Sequence, residues 1–343
     1  MHSGQLMKAI PLTRSASLSP FVEVLRGGGA TFGRHLGAAG IDQRIFAAPE
    51  SLLSLQQAGR FIEDAAHAEG IEDFGLRAGA LTPITSLGLF GAVMSQALTL
   101  NDMVHRLIRW VPVLNSGAKV SLKTIKEKIV ELRIRLMTEE GRAQIDAYSL
   151  VLLIDAVRMA LGQEWRPQEV ALDRAAGRLA SQHEMLSDAK VDGNVDYAAL
   201  RFPRASLAVP VAPGGQTKGA GAEEALLSTA PAMDFVGSIS QAVCGSLSGG
   251  AFTIDMISDM GGTSIRTLQR RLGESGLSYH ELIDRVRFEA ALPMLEDPRM
   301  KLSEIASRLG YSDAANFTRA FRRWTATSPS EFRLKCLKGE ISV

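Results

Sequence analysis

The spacing of apolar residues in the first two thirds of the chain alternates between helical and strand-like. Leu52, Leu55, Ala58, Ile62 and Ala65 recur at the spacing of an amphipathic helix, which we expect over residues 49–69. Strict alternation then predicts a β-hairpin with one buried face. The elements expected in this region are helices at 87–97, 101–114 (capped by Asn101), 142–161 and 175–186, and strands at 119–124, 129–136, 169–172 and 195–207. This mixture is typical of an α+β domain.

The pattern changes to helices alone near the C-terminus. Residues 212–230 concentrate Gly, Ala, Ser, Thr and Pro, which indicates a linker with at most a short helical turn. Helices are expected afterwards at 233–247, 253–260, 264–275, 279–295, 302–309 and 312–324. We therefore divide the chain into a flexible N-terminus at 1–19, an α+β domain at 20–211, a linker at 212–230 and an all-α domain at 231–338.

Composition supports a globular protein with two domains. The 343 residues are 46% hydrophobic and 22% charged, which excludes a disordered or fibrous chain. The net charge of +1 means that an acidic partner must be met by a local patch. Cys244 and Cys336 lie far from each other and from the histidines, so we expect no disulfide and no metal site. No cofactor is expected either. The N-terminus lacks a secretory pattern and the charge-free residues 78–100 are rich in polar side chains, so a cytoplasmic protein without a membrane span is expected.

One pattern occurs twice in the all-α domain, at residues 253–275 and 302–324. Each copy is a short apolar helix, a turn containing Gly262 or Gly310, a predicted cap at Ser264 or Ser312, and a basic helix. Both copies are helix-turn-helix candidates. The two serines are 48 positions apart, and a connecting helix of about 17 residues would be ~25 Å long. That length suits two recognition helices placed about one turn of B-DNA (~34 Å) apart.

The second helix of each copy has an apolar inner face, formed by Leu268 and Leu272 or by Phe317 and Phe321. Its outer face carries Arg, Gln, Thr and Asn, which match the hydrogen-bonding groups of bases. We expect Arg270 and Arg319 to read bases. The candidate DNA-binding residues are Ser264, Arg266, Thr267, Gln269, Arg270, Ser312, Ala315, Asn316, Thr318, Arg319 and, for a phosphate, Arg323. The alternative is the solvated face of an ordinary helical bundle.

The all-α domain resembles the DNA-binding domain of the AraC/XylS family of bacterial transcription regulators over about residues 235–335. The resemblance is carried by SIRTLQRRL at 264–272 and IASRLGYSDAANFTRAFRRW at 305–324. This sequence departs from the family pattern at Ser258, Gly261, Thr263 and Ala326, the last of which stands where a glycine is usual. The resemblance implies a regulator that binds double-stranded promoter or operator DNA and contacts RNA polymerase. It leaves activation or repression open.

Residues 20–210 are similar to the arabinose-binding-like effector domain of one subgroup, through segments such as Phe74-Gly75-Leu76-Arg77 and Leu200-Arg201-Phe202-Pro203. The subgroup name does not identify the ligand. We expect this domain to dimerise and to bind a small apolar or acidic effector. The candidate effector-binding residues are Arg77, Phe90, Met94, Arg109, Trp110 and Tyr148. The alternative is that the aromatic residues only fill the core.

Two competing function classes remain. An enzyme domain with an appended DNA-binding module would need a convergent nucleophile, base and oxyanion site. The sequence offers only an isolated S-x-x-K at Ser187–Lys190, so we expect no enzyme. A ligand-independent regulator controlled by protein contacts would be favoured by a collapsed pocket.

Overall fold

A computed structural model of the protein describes residues 9–181, 183–212, 221–247 and 252–338. The chain divides into two compact units. The larger unit contains residues 11–39 and 46–231, and the helical unit contains residues 1–10, 40–45 and 232–343. In the described ranges, no helix is long and apolar enough to cross a membrane.

The larger unit combines helices with two β-sheets, as expected for an α+β domain. Its α-helices in the described residues are α1 (Ser19–Gly27), α2 (Phe32–Ala38), α3 (Leu55–Ala68), α4 (Phe74–Leu81), α5 (Gly88–Met94), α6 (Leu100–Leu114), α7 (Arg142–Leu161), α8 (Arg174–Ser181) and α9 (Ala222–Ser228). Its strands are β1 (Leu12–Arg14), β2 (Leu52–Ser54), β3 (Ala118–Lys126), β4 (Ile129–Leu136), β5 (Glu169–Ala171), β6 (Lys190–Asp192) and β7 (Ala198–Pro203).

The main sheet has the strand order β3-β4-β7-β5-β6, and only β5 and β6 are parallel. The hairpin predicted from the alternating pattern is confirmed as β3 and β4, which pair antiparallel with Val120 opposite Ile134. On β4, Leu132 is buried, as expected for a strand with one apolar face. Glu131 points to the other face and is also buried. Its carboxylate is balanced there by ion pairs with Arg133 and, at 2.7 Å, with Arg201 of β7.

Three glycines allow helices α3 and α4 to approach α7 and the residue before it closely. A Cβ atom at Gly59 of α3 would overlap the backbone of Glu140, just before α7 begins. A Cβ atom at Gly75 of α4 would overlap the carbonyl of Gln144 on α7. A Cβ atom at Gly79, one turn later on α4, would overlap the side chain of Val151 on α7. Larger residues at these positions would force the helices apart.

Several elements begin elsewhere than the sequence pattern predicts. Residues 12–14, expected within a flexible N-terminus, form β1, which pairs antiparallel with β2. Residues 52–54, expected within a helix, form β2, so α3 begins only at Leu55, after the N-cap Ser54. The N-cap of α6 is Thr99 rather than Asn101. Strands of three residues are too short to show a period, which explains the first two differences.

The second half of the expected linker forms helix α9 in the larger unit. Leu226 is fully buried, and the guanidinium of Arg14 donates to the carbonyls of Leu226 at 3.0 Å and of Thr229 at 3.1 Å. Arg14 is itself 0% exposed and forms an ion pair with Glu50 at 2.8 Å. A charged side chain thus satisfies carbonyls at the C-terminus of α9. Residues 213–220 of the expected linker lie outside the described residues.

The helical unit contains seven α-helices in its described residues. They are α10 (Phe235–Gly245), α11 (Ile254–Met260), α12 (Ile265–Glu274), α13 (Tyr279–Glu296), α14 (Leu302–Arg308), α15 (Ala314–Thr325) and α16 (Pro329–Leu337). Ser278 and Ser328 begin α13 and α16 with capping boxes. The aromatic ring of Phe321 lies 5.3 Å from that of Phe332 and 5.7 Å from that of Phe317. These rings form the core beneath α15.

Candidate nucleic-acid interface and effector cavity

The turns of the two helix-turn-helix units, α11–α12 and α14–α15, have the same backbone geometry. Gly262 has φ +56° and Gly310 has φ +74°, values that favour glycine. The amide of Thr263 donates to the carbonyl of Ser258, five residues earlier, at 3.0 Å. In the second unit, the amide of Tyr311 donates to the carbonyl of Ala306, also five residues earlier, at 2.9 Å. Both turns therefore end their first helix with a six-residue hydrogen-bonded loop of the Schellman type.

The second helices begin differently. Ser264 is the N-cap of α12 as predicted, and its hydroxyl accepts from the amide of Thr267 at 3.3 Å. The prediction of Ser312 as the cap of α15 is wrong, since Asp313 accepts from the amide of Asn316 at 2.7 Å. Ser312 instead donates to the Asp313 carboxylate at 3.0 Å. The Asn316 amide, and then the Ser312 hydroxyl, lower the pKa of Asp313, so the cap stays ionised.

This one-residue difference changes the correspondence between the two units. The turns repeat after 48 residues, but the recognition helices repeat after 49, because α12 begins at Ile265 and α15 at Ala314. The buried pairs are then Leu268 with Phe317 and Leu272 with Phe321. The predicted DNA-binding positions also coincide: Arg266 with Ala315, Thr267 with Asn316, Gln269 with Thr318 and Arg270 with Arg319. The two recognition helices thus present the same positions with different side chains.

The two arginines expected to read bases are exposed and held by neighbours on their own helices. Arg270 forms an ion pair with Glu274 at 2.5 Å, and Arg319 donates to the side-chain oxygen of Asn316. An exposed ion pair such as that of Arg270 contributes at most ~1 kcal/mol, and the Arg319 contact is an exposed hydrogen bond to a neutral amide, so a partner with better acceptors can replace both.

The remaining candidates differ in accessibility. Ser264, Arg266, Gln269, Ser312 and Ala315 are exposed. Three more are half-buried: Thr267, Asn316 and Thr318, whose hydroxyl donates to the Ala314 carbonyl at 2.7 Å.

The ends of the two recognition helices carry opposite charges. Arg323 near the end of α15 is exposed and forms an ion pair with Asp284 of α13 at 2.6 Å. The equivalent position on α12, 49 residues earlier in the chain, is occupied by Glu274. The second unit is therefore the more basic at the position expected to meet a phosphate.

Other arginines of the helical unit have structural partners. The guanidinium of Arg287 lies 4.7 Å from the ring centroid of Tyr311 and donates to the Leu309 carbonyl at 3.1 Å. Arg271 lies 5.0 Å from the ring centroid of Phe235. These side chains stabilise the unit through cation–π contacts and a hydrogen bond. The basic surface available to DNA is therefore smaller than the count of arginines indicates.

The larger unit contains a cavity of about 70 Å³ between α1, α3, α6, α7 and the main sheet. Of the six candidate effector-binding residues, Phe90 and Tyr148 line it. Met94 and Trp110 are buried in the core elsewhere.

The two arginines expected to balance an acidic ligand lie outside the lining of this cavity. Arg77 is 56% exposed and forms an ion pair with Asp73 at 2.7 Å. The guanidinium of Arg109 lies 4.7 Å from the ring centroid of Trp110. The structure therefore separates the predicted apolar residues from their predicted counter-charges.

Sequence reasoning missed three hydroxyl-bearing residues at the cavity, Thr13, Ser17 and Ser149. Thr13 and Ser17 belong to the segment expected to be flexible, so nothing in their local pattern pointed to a buried site. Across the described ranges, no group of three His, Cys, Asp or Glu side chains is arranged to hold a metal ion.

Two family profiles match the chain. Residues 29–211, more than half of the chain, match the profile described as the arabinose-binding domain of AraC transcription regulator, N-terminal. Residues 257–335 match a helix-turn-helix domain. The chain belongs to the AraC family of transcription regulators. The helix-turn-helix match includes both units described above.

Curated relatives match only part of this chain. The ornithine utilization regulator of Pseudomonas aeruginosa is 45% identical over 71 residues, which are 21% of this chain and 21% of the relative. The regulator VqsM of the same species is 43% identical over 68 residues, 20% of this chain and 21% of the relative. VirS of Mycobacterium tuberculosis is 40% identical over 84 residues, 24% of this chain and 25% of the relative. The matches thus span about a fifth to a quarter of each relative's length.

The crystal structure of the transcriptional regulator CdpR from Pseudomonas aeruginosa covers 93% of this chain and 98% of its own, with 19% identity and a TM-score of 0.39. All the proteins named here are transcription regulators, and none is described as an enzyme.

Proposed function

We propose that this protein is a sequence-specific DNA-binding transcription regulator whose DNA binding is controlled by a small effector. The observation that carries the proposal is the doubled helix-turn-helix, with equal turn geometry and matched outward positions on α12 and α15. Helix α13 separates the units with 18 residues, or ~27 Å. One chain can then address two successive major-groove faces.

The exposed side chains divide into two roles. Arg270 and Arg319 occupy equivalent outward positions, and a guanidinium can donate two hydrogen bonds to guanine. Ser264, Arg266, Thr267, Gln269, Ser312, Ala315, Asn316 and Thr318 contribute further contacts on the same surfaces. Arg323 lies one turn beyond Arg319 and binds a backbone phosphate, which fixes the register without reading sequence.

The test begins with selection of a binding sequence from a random duplex library by the full chain. Titrations at several salt concentrations then compare the selected duplex with a scrambled one. Replacing Arg270 or Arg319 with alanine should weaken binding to the selected duplex by ~1–3 kcal/mol and relax preference at one base pair. Arg323→Ala should weaken binding to both duplexes alike and reduce the salt slope by about one.

A matched control is Arg299→Ala, which removes an exposed arginine from the loop between α13 and α14. This variant should bind both duplexes like the original protein. An equal loss on both duplexes for Arg270→Ala would show that Arg270 contacts a phosphate and would refute its base-reading role. Failure to enrich any sequence would refute sequence-specific binding.

Effector control is supported by the cavity in the larger unit. A ligand changes DNA binding only if it binds one conformational state better than another. We include homodimerisation through residues before 212 in the proposal, since each chain already carries both DNA-reading units. Sedimentation equilibrium of the full chain should give twice the 36.9 kDa of one chain. A monomer at micromolar concentration would contradict the dimer.

We include contact with RNA polymerase and a cytoplasmic location in the proposal, because the protein would act at a promoter, and we choose activation over repression as the direction to test. Transcription from a template bearing the selected sequence, with purified polymerase, should rise when the protein is added. An unchanged or lower yield would contradict activation.

A further inference from the structure

The cavity of the larger unit contains three hydroxyl groups that lack hydrogen-bond partners. They are the side chains of Thr13 on β1, Ser17 just after it, and Tyr148 on α7. Thr13 is 1% exposed and Tyr148 is 5% exposed. A buried hydroxyl without a partner is destabilising, so it is normally paired with protein or water. Three such groups from separate elements indicate a site built for a molecule that supplies the missing partners.

The rest of the lining is uncharged and mainly apolar, and its other polar side chains are Asn115 and Ser149. Among the described residues, no acidic or basic side chain belongs to the lining, and its apolar members include Phe21, Ile62, Leu107, Leu136 and Leu153. A carboxylate or ammonium group would be desolvated there without a counter-charge, which is strongly unfavourable. Burial also raises the pKa of the Tyr148 phenol, so this hydroxyl remains a neutral donor.

A sugar is equally unsuitable for this lining. A pentose carries a hydroxyl on most of its carbons, and each would need partners inside the cavity. The amide oxygen of Asn115, the largest polar side chain of the lining, already accepts from the amide of Gly117 at 2.9 Å. The three unpaired hydroxyls instead suit an otherwise apolar molecule with a single polar group, because a ligand hydroxyl can form three hydrogen bonds and a ligand carbonyl oxygen two.

We propose that the effector is an uncharged, mainly apolar small molecule with one carbonyl or hydroxyl oxygen, bound by the hydroxyls of Thr13, Ser17 and Tyr148. This assignment rests on the proposed effector control and specifies its ligand class. The cavity of about 70 Å³ is smaller than the 150 Å³ cavity that holds benzene in another protein, so it suits a compact ligand.

The test uses four probes with the full chain: acetone, propan-2-ol, acetate and arabinose, the first three of which are smaller than benzene, as the cavity volume requires. Binding is measured by NMR of the protein's methyl groups, and DNA binding is recorded in the same samples. The two neutral probes should bind, and the carboxylate and the sugar should not. Tyr148→Phe should weaken acetone binding about tenfold, because it removes a hydrogen bond but little volume. Thr13→Val should act in the same direction.

Tyr311→Phe is the matched control. Tyr311 also has a buried hydroxyl without a partner, but it belongs to the helical unit. This variant should leave binding of the neutral probes unchanged. A second control, Ala58→Leu, places a larger side chain at the cavity wall and should abolish binding.

Three results would overturn the assignment. Binding of the carboxylate or of arabinose, lost in Ala58→Leu, would refute the neutral ligand class while leaving effector control intact. Equal affinity of acetone for the original protein and for Tyr148→Phe would refute the hydroxyl contacts. Absence of binding by every probe would refute the cavity as a site for this class, and the DNA measurement would show separately whether the protein still binds its selected duplex.

Discussion

Asp146 gives the larger unit a pH-dependent stability that can be calculated from its surroundings. The residue lies on α7 and is 0% exposed, and one of its carboxylate oxygens has no hydrogen-bond partner. Burial raises its pKa from 3.8 to about 7, although Arg142, whose Nε lies 3.5 Å from the other oxygen, opposes the shift. The carboxyl group therefore holds its proton far more tightly in the folded protein than in the unfolded chain.

The sign and size of the effect follow from proton linkage. A carboxyl with a raised pKa stabilises the folded state at low pH relative to high pH, so the free energy of unfolding falls as pH rises from about 4 to about 7. A shift of roughly three pKa units at 1.36 kcal/mol each corresponds to at most ~4 kcal/mol. Above pH 7, Asp146 is ionised in both the folded and the unfolded state, so the free energy of unfolding no longer falls because of this group.

Replacement of Asp146 with asparagine removes this ionisation. Urea unfolding followed by circular dichroism at pH 5 and pH 8 compares the variant with the original protein. The variant should gain more stability at pH 8 than at pH 5, by ~2–3 kcal/mol. Asp64→Asn, at an exposed carboxylate of α3, is the control for the change in net charge. A gain that is equal at both pH values, or larger at pH 5, would refute this account of Asp146.

Three further variants test other contacts. Arg14→Met should lower the free energy of unfolding in urea by ~3–5 kcal/mol, because Glu50 loses its ion-pair partner and the carbonyls of Leu226 and Thr229 at the end of α9 lose their donor. A loss below 1 kcal/mol would contradict this. Ala326 ends α15 with φ 59°, so Ala326→Gly should raise stability in thermal unfolding by ~0.5–1 kcal/mol, and a decrease would show that the alanine is not strained. Glu274→Gln should strengthen binding to duplexes of any sequence severalfold in an anisotropy titration, because it frees Arg270 and removes a negative charge from α12; unchanged affinity would refute that role.

Much of the helical unit could be predicted from its sequence, because its signals are local. The spacing of Leu268 and Leu272, and of Phe317 and Phe321, predicted the buried faces of α12 and α15, and the structure buries all four side chains. The cap of α15 could not be predicted with the same certainty. Ser312 and Asp313 are adjacent and both residue types favour N-caps, so only the backbone path decides between them.

The cavity could not be predicted, because it depends on contacts between distant parts of the chain. Thr13 and Tyr148 are far apart in sequence, and β1 is only three residues long. Arg14 shows the same limit, since an arginine is expected at the surface and is buried here by partners up to 215 positions away. Local periodicity contains no information about such pairs.

The close approach of α3 and α4 to α7 has a consequence for the size of the ligand. At Gly59 and Gly75 backbone lies directly on backbone, so no side chain at these two contacts can rotate to let the helices shift. A molecule larger than the cavity must therefore displace the other walls, among them β1. Thr13 belongs to β1, and its neighbour Arg14 is bonded to Thr229, two residues before the larger unit ends at Pro231. Selection by ligand size then depends on how much energy it takes to move that short strand.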